Sequence, residues 1–135
     1  MKLTPWIFIS GAVLCFLAVS IGAFGAHALE SLLVENNRLA TFETASHYHF
    51  FHALVLLILG LINMPKALLP TQQFVAICFI LGVCIFSGSL YSLSVTNIGI
   101  LGAITPIGGV IFLLAWIGMV KIGLQWKNWQ ESSNH

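Results

Sequence analysis

Four long apolar runs, almost free of charge, constrain this chain more than any other feature. They lie at about residues 6–28, 43–63, 72–94 and 106–126. Between Lys66 and Lys121 there is no Asp, Glu, Lys or Arg. A helix crossing the hydrocarbon layer needs about 20 mainly apolar residues. Every backbone amide in lipid must also be satisfied within its own segment, which favours helices. The runs therefore predict an all-α, integral membrane four-helix transmembrane bundle forming one domain over 1–135. Charged residues are only 7% of the 135-residue chain, against about a quarter in a soluble domain. A water-facing fold is excluded, and a net charge of +1 offers no basic surface for nucleic acid. The primary partner implied is the lipid bilayer.

The first run resembles the hydrophobic part of a signal peptide, with Ala26-His27-Ala28 as a cleavage-like site. Its uncharged stretch, Leu3 to Ala26, is 24 residues, well beyond the ~7–15 of a signal sequence. A retained span is the expectation. Small residues Ala18, Gly22 and Ala26 recur every four positions, with Gly25 beside them, which predicts close helix contact. The apolar centre of the second run, Phe50 to Ile62, is only 13 residues, so its helix must begin near Thr41–Thr44. That carries Ser46, His47, His49 and His52 into or beside the membrane. Asn36-Asn37 reads as a turn in the polar surface segment Glu30 to Glu43. Ser87-Gly88-Ser89 reads as a packing notch or kink, and Thr105-Pro106 as a helix start. Gly88, Gly108 and Gly109 join the candidate packing positions.

Four spans put both termini on one side. Lys2, Lys66, Lys121 and Lys127 fall on that side and only Arg38 on the other, so the positive-inside rule predicts cytoplasmic termini. Trp6, Trp126 and Trp129 would form an aromatic belt there.

Catalytic templates are absent: no glycine-rich phosphate loop, G-x-S-x-G, CxxC or HExxH occurs. Cys15, Cys78 and Cys84 lie in apolar runs and give no disulfide framework. Four histidines crowd the outer ends of the first two spans, and ionisable groups at membrane depth are functional candidates by default. The candidate polar cluster is His27, Glu30, Glu43 and His52. His27 shares a helical face with Glu30, Glu43 shares one with His47, and His49 shares another with His52. At about 100° per residue His47 and His52 diverge by roughly 140°, so three histidines of one helix cannot meet at one atom. The spacing matches a di-metal bundle only loosely. No metal or cofactor is assigned and no enzyme activity is expected.

The stretches GAFGAHAL (Gly22 to Leu29), TFETASHYHFFHALVLL (Thr41 to Leu57), FSGSLYSL (Phe86 to Leu93) and ITPIGGVIFLLAW (Ile104 to Trp116) resemble the YgdD/YwdK-like family. These are small bacterial inner-membrane proteins with mitochondrial relatives. The resemblance covers nearly the whole chain. It implies four transmembrane helices in the inner membrane and carries no biochemical activity with it. Its pattern takes in His27, Thr44-Ala45, Tyr48, His52-Ala53, Gly88-Ser89, Tyr91, Thr105-Pro106 and Gly108-Gly109, but not His47 or His49. A non-enzymatic packing, small-ligand or lipid-binding module is the first expectation, alone or in a homo-oligomer or larger membrane complex. A small homo-oligomeric transporter or channel is one alternative. A metal- or haem-binding redox protein using His27 and His52 is the other.

Overall fold

The computed structural model describes residues 4–133; Lys2 of the charge argument lies outside them. Helix α1 is Pro5–His27, α2 Glu30–Glu35 and α3 Leu39–Leu61. A 3-10 turn, Lys66–Leu68, leads into α4, Leu69–Gly82. A π segment, Val83–Ser87, links α4 to α5, Gly88–Thr96, and α6 is Leu101–Ser133. Four helical stretches are long and apolar enough to cross a membrane: Pro5–His27, Leu39–Leu61, Lys66–Thr96 and Leu101–Glu131. This is the expected four-span all-α fold, with α2 as a short surface helix.

The third and fourth spans run beyond their expected limits at both ends, and the first two are shifted towards the N-terminus. Helix α3 begins at Leu39, four residues ahead of residue 43. Pro106 does not start the last helix but lies inside it, since α6 begins at Leu101. As the sixth residue of α6, Pro106 lies past the first turn and forfeits the bond that an N–H there would make to the Gly102 carbonyl.

Glycines set how the spans pair. A methyl on Gly11 would lie 2.4 Å from the Leu57 amide nitrogen, and one on Gly60 would lie 2.3 Å from that of Phe8. Backbone therefore touches backbone at two neighbouring points of α1 and α3. Gly22 faces Ser46 and Gly25 faces the Phe42 ring. Across all four contacts the paired residue numbers total 67 or 68, a single antiparallel register. The third and fourth spans repeat the device. Gly82 faces Phe112, Gly108 faces the Phe86 backbone so closely that a methyl on it would overlap the Phe86 nitrogen, and Gly118 faces Val75, with totals of 193 or 194. In lipid, where no hydrophobic drive brings helices together, such notches supply the contact area. Of the packing positions expected from sequence, Ala18, Gly25 and Gly108 are buried and Ala26 is exposed. Nothing lies within 4 Å of a methyl on Gly88, and on Gly109 only the Phe86 ring, at 3.8 Å.

The two pairs close on a core that includes Ile7, Leu56, Leu59, Val75, Phe79 and Ala115, each at most 1% exposed. Polar clasps hold both ends. Gln72, fully buried, accepts from the Thr4 hydroxyl at 2.9 Å and donates to the Leu59 carbonyl at 2.8 Å. One amide thus joins the start of α1, the end of α3 and α4. At the opposite end the Asn36 side chain donates to the Ser94 and Val95 carbonyls at 3.0 and 3.1 Å, and Arg38 donates to Asn97 at 3.0 Å. These are the free carbonyls that every helix C-terminus leaves behind. Asn37 and Asn97 both take φ 55°, the left-handed conformation that asparagine tolerates at turns.

Candidate functional site

A concavity opens between α3 and α6, with Phe86 of the π segment on one wall. Its volume is about 770 Å³, within the range of small-ligand pockets. The π segment adds a residue to the helical turn and coincides with Phe86, whose backbone is seated against Gly108. The Phe86 ring stacks on Tyr48 with centroids 4.5 Å apart. Beside it the His52 ring stacks on Phe112 at 3.7 Å, nearly parallel at 13°. Two stacked ring pairs form the floor. Phe51, Leu113 and Trp116 stand at the rim and are 68%, 64% and 44% exposed, so the groove opens sideways from the bundle.

His52 is buried and both of its nitrogens are engaged. Nδ1 lies 2.7 Å from the Tyr48 carbonyl, which can only accept. Nδ1 therefore carries the proton. Nε2 faces the Trp116 indole at 3.3 Å, and an indole N–H can only donate. A neutral, Nδ1-protonated imidazole is the form that satisfies both neighbours, and it leaves no lone pair free for a metal.

His49 sits on another side of α3. Its Nδ1 lies 3.4 Å from the Tyr91 hydroxyl. Its Nε2 is buried without a hydrogen-bond partner. Ser87, at the end of the π segment, likewise keeps a buried hydroxyl without a partner. Buried polar atoms of this kind are scarce in proteins.

The candidate cluster does not assemble as one site. His27 ends α1 and is exposed, Glu30 opens α2 and is exposed, and Glu43 is exposed near the start of α3. By the α1–α3 register His27 is level with about Thr41, eleven residues from His52, or about 16 Å along the axis. His27 and His52 cannot share a small ligand, because His52 turns to α6 and lies deeper. Among the described residues no group of three His, Cys, Asp or Glu is placed to hold a metal ion. His47 is exposed at the groove's edge. Sequence reasoning did not single out Phe112 and Trp116 as partners of His52. The usable signal was Trp116 itself, a tryptophan ten residues from the Trp126 belt whose N–H needs an acceptor.

Residues 21–109 match the family described as "Protein of unknown function (DUF423)". The UPF0382 membrane protein YwdK of Bacillus subtilis is 41% identical over 118 residues, covering 87% of this chain and 95% of that relative. The UPF0382 membrane protein SERP0230 of Staphylococcus epidermidis is 42% identical over 112 residues, covering 83% of this chain and 89% of the relative. The UPF0382 membrane protein SSP2132 of Staphylococcus saprophyticus is 43% identical, covering 83% and 91%. No solved structure matches.

Proposed function

This chain belongs to the DUF423 family, and on that premise we propose that it is a non-enzymatic binding module of the bacterial inner membrane. It takes a flat, apolar small molecule or a lipid-borne ring from the bilayer into the groove between α3 and α6. One observation carries this reading: a cavity of about 770 Å³ floored by the stacked pairs His52–Phe112 and Tyr48–Phe86 and open sideways. Aromatic walls favour a planar guest through offset or parallel stacking. A side opening admits it without passage through water. The hydrogen-bonded state of His52 supports a binding wall rather than a metal or haem ligand. The filled core supports binding over transport within one chain.

The termini face the cytoplasm in this reading, as the positive-inside rule requires. Lys66, Lys121 and Lys127 stand at one end of the bundle, while Glu30, Glu35 and Glu43 stand at the other with Arg38. A C-terminal fusion to a reporter active only outside the cytoplasm should stay silent.

Gly109 tests the groove. A methyl there would make only ordinary contact with Phe86, at 3.8 Å. Gly109→Leu should fill the groove without forcing the helices apart. Protein purified in mild detergent should yield an apolar compound on organic extraction, in amounts comparable to the protein. The Gly109→Leu variant should yield much less. Equal yields from both, or none from either, would defeat the reading.

A further inference from the structure

A second groove lies between the third and fourth spans at the lysine end, apart from the His52 groove. It has a volume of about 350 Å³ and lies between Phe74 and Thr71 on α4 and Leu114, Ile117, Gly118 and Lys121 on α6. Four of these six are apolar or glycine and lie towards the bundle centre. Thr71 and Lys121 lie towards the end.

The depth of Lys121 is unusual. It precedes Trp126 of the aromatic belt by five residues, about 7.5 Å of helix. A lysine at that depth extends its stem towards the interface or meets an anion. The described residues supply no anion to it. Glu30, Glu35 and Glu43 are at the far end of the bundle, and the remaining carboxylate, Glu131, lies 3.9 Å from Lys127. Among the described residues Lys121 has no ion pair. Lys66, also exposed, belongs to the same end.

We infer that this groove is a binding site for one anionic phospholipid, its phosphate on the Lys121 ammonium beside the Thr71 hydroxyl and an acyl chain lying along Phe74, Leu114 and Ile117. Charge complementarity and the apolar channel below the charge select this occupant. A zwitterionic lipid would bring its own cation to the same lysine. A free phosphate would leave the channel uncovered. Basic residues above an apolar cleft between spans are the general physical recipe for anionic headgroups.

The test is retention of lipid by the full chain. Protein is exchanged into detergent with equimolar phosphatidylglycerol and phosphatidylcholine and bound lipid is counted by native mass spectrometry. Wild type should retain phosphatidylglycerol in about fivefold preference, the worth of one lysine near a membrane surface. Lys121→Gln should lose that preference and Lys121→Arg should keep it. Lys127→Gln removes a charge already paired with Glu131 and should keep it too. Equal retention of the two lipids by wild type, or an unchanged preference in Lys121→Gln, overturns the inference. So does thermal stabilisation by inorganic phosphate alone to the same extent as by the lipid. Lys121 is exposed, so its replacement leaves the packed interior untouched.

Discussion

Adding one methyl at Gly11 should loosen the contact between α1 and α3. The new carbon would stand 2.4 Å from the Leu57 nitrogen and 2.6 Å from its Cα. Ordinary contact begins near 3.4 Å, so the two backbones must part by about 1 Å. The obstacle is main chain, which cannot swing aside as a side chain could. A gap of 0.5–1 Å forfeits roughly a quarter to a half of each dispersion contact it opens, and overpacking commonly costs about 1–3 kcal/mol. The upper half of that range is expected for Gly11→Ala and for Gly60→Ala, which presses on Phe8 in the same way. Helix propensity opposes this by up to about 1 kcal/mol in favour of alanine. Gly123→Ala isolates that term, because nothing lies within 4 Å of its added methyl. The double change Gly11→Ala/Gly60→Ala is the sharper case. One parting of the helices relieves both clashes, so the pair should cost little more than either alone, a coupling expected of neighbouring sites. Thermal unfolding in mild detergent, followed by circular dichroism, measures all four. If Gly11→Ala melts no lower than Gly123→Ala, or the double change is additive, the backbone contact is not what holds these helices.

Three further outcomes follow from the polar clasps and from the Trp116–His52 hydrogen bond. Gln72→Leu leaves the Thr4 hydroxyl and the Leu59 carbonyl unmatched and should cost about 1–3 kcal/mol, read as a lower melting temperature in the same assay. Trp116→Phe keeps the ring but removes the donor to His52 Nε2. A loss of about 1 kcal/mol is expected, and isotope-edited NMR of the His52 ring should show Nε2 changing its environment while Nδ1 keeps its proton. Asn36→Ala frees the Ser94 and Val95 carbonyls. Hydrogen exchange should quicken at the end of α5 and stay unchanged in α1.

The four spans were legible because charge is absent over lengths that only lipid explains, and Glu30, Glu35 and Arg38 marked the segment between the first two as polar surface, though not that Glu30–Glu35 forms a helix. Both Asn36-Asn37 and the lysine-rich end were readable on the same grounds. What composition did not carry was the choice of partner. Ala18, Gly22 and Ala26 mark a face by their four-residue recurrence, yet the closest backbone approach of α1 and α3 falls on Gly11 and Gly60, and Gly11 belongs to the seven-residue series Gly11, Ala18, Gly25. Each touches only because of where the other sits. His52 was visible as a buried ionisable group, but an assignment to His27 needs the axial offset between two helices. That offset depends on the register and not on either sequence alone. The π segment over Val83–Ser87 has no composition of its own, and Pro106 resembles a helix start because proline is common at the first helical position.

The single register of α1 against α3 limits how this protein can change in length. One inserted residue in either helix would turn everything beyond it by about 100°, carrying Gly11 or Gly60 off the shared face. Seven inserted residues would restore the facing to within about 20°, yet would lengthen a span by some 10 Å against a hydrocarbon layer of about 30 Å. Neither a small nor a large insertion is accommodated. Variation in length is therefore expected at α2, in the turn before Lys66 and beyond Trp126, where the chain is free of both constraints.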